Sequence, residues 1–62
     1  MTRTRMTKKE RIELGARSLV YCHKQGHDVM NIATVLDMWK TYSLETCEAI
    51  LARAKEMLKE EQ

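Results

Sequence analysis

Residues 43–58 read SLETCEAILARAKEML, and this stretch has the clearest helical pattern in the chain. Apolar residues recur in it every three or four positions: Leu44, Cys47, Leu51, Ala54 and Leu58 form a stripe, with Ile50 and Met57 beside it. This spacing places the apolar side chains on one face of an α-helix. Ser43 suits the N-cap, and Glu45 would lie near the positive end of the helix dipole. We therefore predict a helix that begins directly after Ser43.

A second, shorter helix is predicted before this stretch. Asp28 is a favourable N-cap residue. The apolar residues after it fall at helical spacing: Val29, Ile32, Ala33, Leu36 and Trp39. The pattern stops at Lys40-Thr41-Tyr42. These signals predict a helix over about residues 29–39.

The first helix is predicted from a capping-box pattern at Thr7-Lys8-Lys9-Glu10. In such a box the threonine hydroxyl and the glutamate carboxylate each accept a hydrogen bond from the other residue's backbone amide. The predicted inward stripe consists of Ile12, Ala16, Leu19, Val20 and His23. Gly15 would allow close approach of another helix, and Gly26 suits the left-handed residue that ends a helix. We predict this helix over about residues 8–25.

The composition agrees with a single small all-α domain. The chain has 62 residues and no proline, and 44% of its residues are hydrophobic and 32% charged, which is typical of a folded protein. We predict an all-α three-helix bundle over residues 7–62, preceded by a flexible basic arm at residues 1–6. A domain of this size buries only about 60% of the surface of its unfolded chain, so a second copy or a metal could be needed for stability.

Several classes of function are disfavoured. No segment approaches the roughly 18 consecutive apolar residues that span a bilayer. The basic residues at the N-terminus are not followed by the apolar stretch of a secretory signal. We therefore expect a soluble, cytoplasmic protein whose Cys22 and Cys47 are reduced core residues. Adjacent Cys22 and His23 would point about 100° apart on a helix, and His27 completes no metal-ligand spacing. No phosphate loop or activated nucleophile is present, so we predict no catalytic residue, metal, cofactor, small-molecule substrate or membrane partner.

Residues 26–38 read GHDVMNIATVLDM, and the segment from Leu19 to Leu51 resembles the homeodomain-like helix-turn-helix superfamily of invertases, transposases and small regulators. The resemblance covers about half of the chain. The positions that carry it are Gly26, Ile32, Ala33, Leu36, Met38, Leu44 and Cys47. It implies a helix-turn-helix-like bundle in which two helices cross closely at the small Ala33. It also implies DNA binding.

The positive charge at the start of the chain favours the same function. Residues 1–11 carry five cationic side chains and one carboxylate. Arginines on an arm can enter a minor groove, and lysines at a helix start can contact phosphates. The predicted DNA contacts are Arg3, Arg5, Lys8, Lys9 and Arg11, with Lys40, Thr41, Tyr42, Ser43 and Thr46 near the turn. These residues predict a small DNA-binding regulator of transcription or recombination that acts as a dimer, although a basic N-terminal segment that is merely solvated is the simpler alternative.

The alternative function is protein binding. Met30, Met38, Trp39 and Tyr42 lie in or beside the second predicted helix, and so small a core cannot bury them all. Such residues suit a small regulator or inhibitor that docks on a larger enzyme. The competing structural interpretation is that Trp39 caps the core. A homodimer built on the apolar stripe of the third helix is a further alternative, because its heptad-like spacing permits helix pairing.

Overall fold

The computed structural model describes residues 7–61, and within that range the chain forms three α-helices and no strand. Helix α1 spans Lys8–Lys24, α2 spans Ile32–Met38 and α3 spans Leu44–Glu61. The predicted all-α three-helix fold is confirmed. The predicted arm, residues 1–6 with Arg3 and Arg5, lies outside the described residues, as does residue 62.

Both ends of α1 are formed by the predicted signals. The Glu10 amide donates to the Thr7 hydroxyl at 3.1 Å, and the Thr7 amide donates to the Glu10 carboxylate at 2.9 Å. Gly26 follows the C-cap with φ of +94°, in the left-handed region that favours glycine. The prediction that His23 faces inward is wrong, because His23 lies in the last turn of α1 and is exposed there.

The predicted start of α2 is also wrong. Asn31, and not Asp28, is the N-cap residue, since its side chain accepts a 2.8 Å hydrogen bond from the Thr34 amide. Val29 is buried before the helix begins, in a non-helical segment that packs on the core. The later start turns Val35 fully inward. Ala33, the predicted point of close approach, is exposed as a result.

Helix α3 begins after Ser43 as predicted, but its buried face is rotated relative to the predicted stripe. The Ser43 hydroxyl accepts from the Thr46 amide at 3.3 Å. Cys47, Ile50 and Ala54 are fully buried. Because the buried face is centred on these residues, Leu44 lies at its edge and is 53% exposed, which corrects its predicted core position.

Helices α1 and α3 run side by side in the same direction. Lys8 Nζ lies 3.2 Å from a Glu45 carboxylate oxygen at the start of both helices, and Lys24 pairs with Glu61 at the end of both. Residues 25–43 therefore carry the chain back along the whole length of α1. Within this return segment the backbone of α2 lies closer to α3 than to α1, since no α2 Cα lies within 8 Å of an α1 Cα.

The core lies between α1 and α3 and extends under the return segment. Its buried apolar residues are Ala16, Leu19, Val20, Val29, Val35, Cys47, Ile50 and Ala54. The predicted close approach at Gly15 is confirmed, since a Cβ atom there would lie only 2.9 Å from Ile50 Cδ1. Cys47 is a core residue as predicted, whereas Cys22 is half-buried at the edge of the core.

Candidate functional site

The structure brings the start of α1 and the start of α3 to one end of the molecule, and with them predicted DNA contacts from both groups. Lys8 and Lys9 begin α1, and Ser43 immediately precedes α3. The Lys8–Glu45 ion pair joins the starts of these two helices. Residues far apart in sequence therefore lie at the same end because α1 and α3 are parallel.

The cations at this end differ in whether the chain already neutralises them. Lys8 is paired with Glu45, and Lys40 lies 3.8 Å from Asp37. Lys9 and Arg11 are exposed, and no carboxylate of residues 7–61 lies within 4.0 Å of either. We call Lys9 and Arg11 the basic start of α1.

The two carboxylates of α1 do not neutralise this basic start. The Glu10 carboxylate accepts from the Thr7 amide in the capping box. Glu13 receives a 2.5 Å hydrogen bond from Arg53 Nε, and this bond raises the pKa of the Arg53 guanidinium above its ordinary value. Since both carboxylates are engaged, the positive charge of Lys9 and Arg11 is available to an anionic ligand.

The predicted contacts around the turn are less favourable for phosphate. Thr41 and Ser43 are exposed, but Thr46 is only 8% exposed and its hydroxyl lies 3.1 Å from that of Ser43. Thr46 therefore offers little surface for the predicted DNA contact, which stays a prediction. Glu45 and Glu48 are exposed in the first turns of α3, where their charge repels phosphate.

A second surface lies where α2 meets α3, and we call it the corner. It consists of Met38, Trp39 and Tyr42 of the predicted protein-binding residues, together with Leu44. Met30, the fourth predicted residue, lies before the start of α2 and is half-buried against the core. The Trp39 and Tyr42 rings stack with centroids 6.5 Å apart and an interplanar angle of 7°. Both residues pack against the core and are half-buried, so Trp39 does cap the core, yet neither aromatic side chain is fully covered.

The outer part of the corner is apolar and open. Met38 is 40% exposed, and Leu44 is even more exposed. The sequence predicts a core position for Leu44, because this residue continues the apolar stripe of α3. Its exposed position in the corner was therefore missed. Only the folded chain, in which Thr46 and Ile50 are buried, shows that Leu44 lies at the edge of the buried face.

Most of the apolar stripe of α3 is already covered by contacts within the chain. Cys47 and Ala54 are fully buried, and Leu51 and Leu58 are half-buried against the core. A homodimer built on this stripe would have to replace contacts that already hold the three helices together. The stripe therefore gives little support to the dimer that the sequence suggested.

Among residues 7–61, no three His, Cys, Asp or Glu side chains lie together as metal ligands. No described helix combines the length and apolar character needed to cross a membrane. Comparison with known proteins finds no matching family model, curated protein or solved structure. The helix-turn-helix resemblance stays a prediction, and the α2–α3 connection, residues 39–43, is longer than the usual three- or four-residue turn.

Proposed function

We propose that this chain is a small DNA-binding regulator of transcription or recombination, acting in the cytoplasm, that holds the phosphate backbone with the basic start of α1. The observation that carries the proposal is the exposure of Lys9 and Arg11 without a carboxylate partner among the described residues. The chain immediately before α1 adds Arg3 and Arg5. Together these residues form a concentrated source of positive charge.

Phosphate binding is favoured by cations that are not already neutralised. Each phosphate that a lysine or arginine contacts releases condensed counterions, and this release supplies much of the affinity for DNA. Lys8 and Lys40 would have to give up or share a carboxylate before they contribute in full. Since Glu45 and Glu48 border the first turn of α3, contacts to the backbone are favoured over base recognition by that helix.

The first test removes the two free cations of the basic start. We expect Lys9→Ala with Arg11→Ala to weaken binding to a mixed-sequence duplex. The slope of log affinity against log salt should become shallower by about 1 for each phosphate that the variant no longer neutralises. Fluorescence anisotropy over a salt series measures both effects.

The matched control is Lys55→Ala with Lys59→Ala, which removes the same charge from α3. Both lysines are exposed, and no described carboxylate lies within 4.0 Å of them. If this pair weakens binding as much as the α1 pair, net charge and not the basic start governs affinity. A wild-type affinity that does not change with salt would contradict phosphate binding altogether.

A second candidate function is protein binding through the corner, favoured by the exposure of Met38 and Leu44 beside the Trp39–Tyr42 stack. We expect Met38→Ser to reduce capture of a partner from a nuclease-treated host extract while helix content stays unchanged. Leu14→Ser is the control, because Leu14 is similarly exposed on α1, away from the corner. Affinity capture with mass spectrometry measures the difference. Equal recovery by wild type and Met38→Ser would contradict this function.

A further inference from the structure

A groove lies between the C-terminal halves of α1 and α3, away from the basic start. Val20 and Met57 contribute apolar surface to it, Arg17 and Tyr21 line it from α1, and Glu60 lines it from α3. Tyr21 is 65% exposed, more than any other large apolar side chain among the described residues. The groove thus combines an open aromatic ring with charges of both signs.

One ion pair, between Lys24 and Glu61, already crosses this groove, but Arg17 and Glu60 are not paired with each other. Arg17 is exposed and lies farther than 4.0 Å from every carboxylate of residues 7–61, including that of Glu60. Glu60 is 67% exposed, and its nearest cation is Arg53 at 3.7 Å. Arg53 is shared, because it also binds Glu13 at 2.5 Å and Glu56 at 3.3 Å. Each side therefore retains charge that an external group could pair with.

This arrangement is self-complementary. In a two-fold symmetric interface, a residue of the first copy meets a different residue of the second, and the reverse contact forms as well. A cation on α1 and a carboxylate on α3 satisfy this requirement with one pair of residues. A purely anionic partner such as DNA would pair with Arg17 but would be repelled by Glu60.

We propose that the groove is the interface of a symmetric homodimer, in which Arg17 of each copy pairs with Glu60 of the other and Tyr21 packs in the apolar centre. Tyrosine and arginine are enriched in interface cores. A standard interface covers about 800 Å² on each partner, so the contact would extend from the groove onto the neighbouring surfaces of α1 and α3. Small domains often gain stability by such association. This proposal does not depend on DNA binding.

The test uses charge reversal on the full chain. Arg17→Glu and Glu60→Arg each place like charges across the interface, so each variant alone should dimerise about tenfold more weakly or worse. An equal mixture of the two variants should dimerise as wild type does, because each reversed side chain then meets an opposite charge. Sedimentation velocity over a concentration series measures the dimer fraction in all four samples.

The control is Lys55→Glu, which makes the same charge change as Arg17→Glu at an exposed residue that does not line the groove. It should leave the dimer intact, and circular dichroism should show equal helix content in every variant. A monomeric wild type, undiminished dimerisation of either charge-reversal variant, or a mixture that stays monomeric would overturn the proposal. Dissociation by Lys55→Glu would overturn it as well, because it would place the contact on another face.

Discussion

Gly15 shows how a single missing methyl group sets the distance between two helices. In an isolated helix, alanine is more favourable than glycine by about 1 kcal/mol. In this chain the added Cβ would lie 2.9 Å from Ile50 Cδ1 and 3.1 Å from both Cγ1 and Cγ2. Rotation about the Cβ–Cγ1 bond of Ile50 would move Cδ1 away, but it would leave the contacts with Cγ1 and Cγ2 in place. Since Ile50 is fully buried, it has no open space into which to move.

We therefore expect Gly15→Ala to lower the free energy of unfolding, by about 1 to 3 kcal/mol for overpacking, partly offset by the gain in helix propensity. The cost should be smaller in an Ile50→Val background, because valine lacks Cδ1. Urea denaturation followed by circular dichroism measures both effects. Ser18→Ala, at an exposed residue of the same helix, should change stability little. A more stable Gly15→Ala variant would show that the α1–α3 contact is not tightly packed.

The ends of the helices could be predicted where the residues that form them are close together in the sequence. The capping box of Thr7 and Glu10, the left-handed Gly26 and the N-cap Ser43 each act within three residues of the chain. Their hydrogen bonds depend little on distant residues. The start and end of α1 and the start of α3 could accordingly be predicted from sequence to within about one residue.

Helix α2 could not be predicted as well, because two N-cap residues compete for its start. Asp28 and Asn31 both precede apolar residues, and Asn31 takes the role while Val29 packs in the core from outside the helix. Which of the two begins the helix depends on contacts with distant residues. The exposure of Leu44 and the burial of Thr46 have the same origin, since contacts with distant parts of the chain decide which side of α3 is covered.

The parallel arrangement of α1 and α3 was not predicted, although the sequence contains a signal for it. The ion pairs Lys8–Glu45, Glu13–Arg53 and Lys24–Glu61 join residues separated by 37, 40 and 37 positions. A near-constant separation is what two helices running in the same direction produce. The sequence contains many other opposite-charge pairs, however, so this pattern becomes informative only once the helices are in place.

The arrangement also separates the proposed surfaces along α1. Lys9 and Arg11 lie in its first turns, whereas Arg17 and Tyr21 lie in its C-terminal half beside α3. A dimer formed at the groove would leave both basic starts free to contact one duplex. A dimer that contacts one duplex with both basic starts binds more tightly than a monomer, because its second binding event is intramolecular. The two proposals together therefore make a prediction that neither makes alone.

Glu60→Arg separates the effect of charge from that of dimerisation on DNA binding. It replaces a negative charge by a positive one, so if monomers bind DNA independently it should tighten binding. If two linked basic starts are required, it should weaken binding by about tenfold or more, because it breaks the dimer. Adding an equal amount of Arg17→Glu should then restore affinity, although that variant alone is the less positive of the two. Anisotropy titrations of one duplex at constant salt decide between these outcomes, and tighter binding by Glu60→Arg alone would show that a single copy suffices.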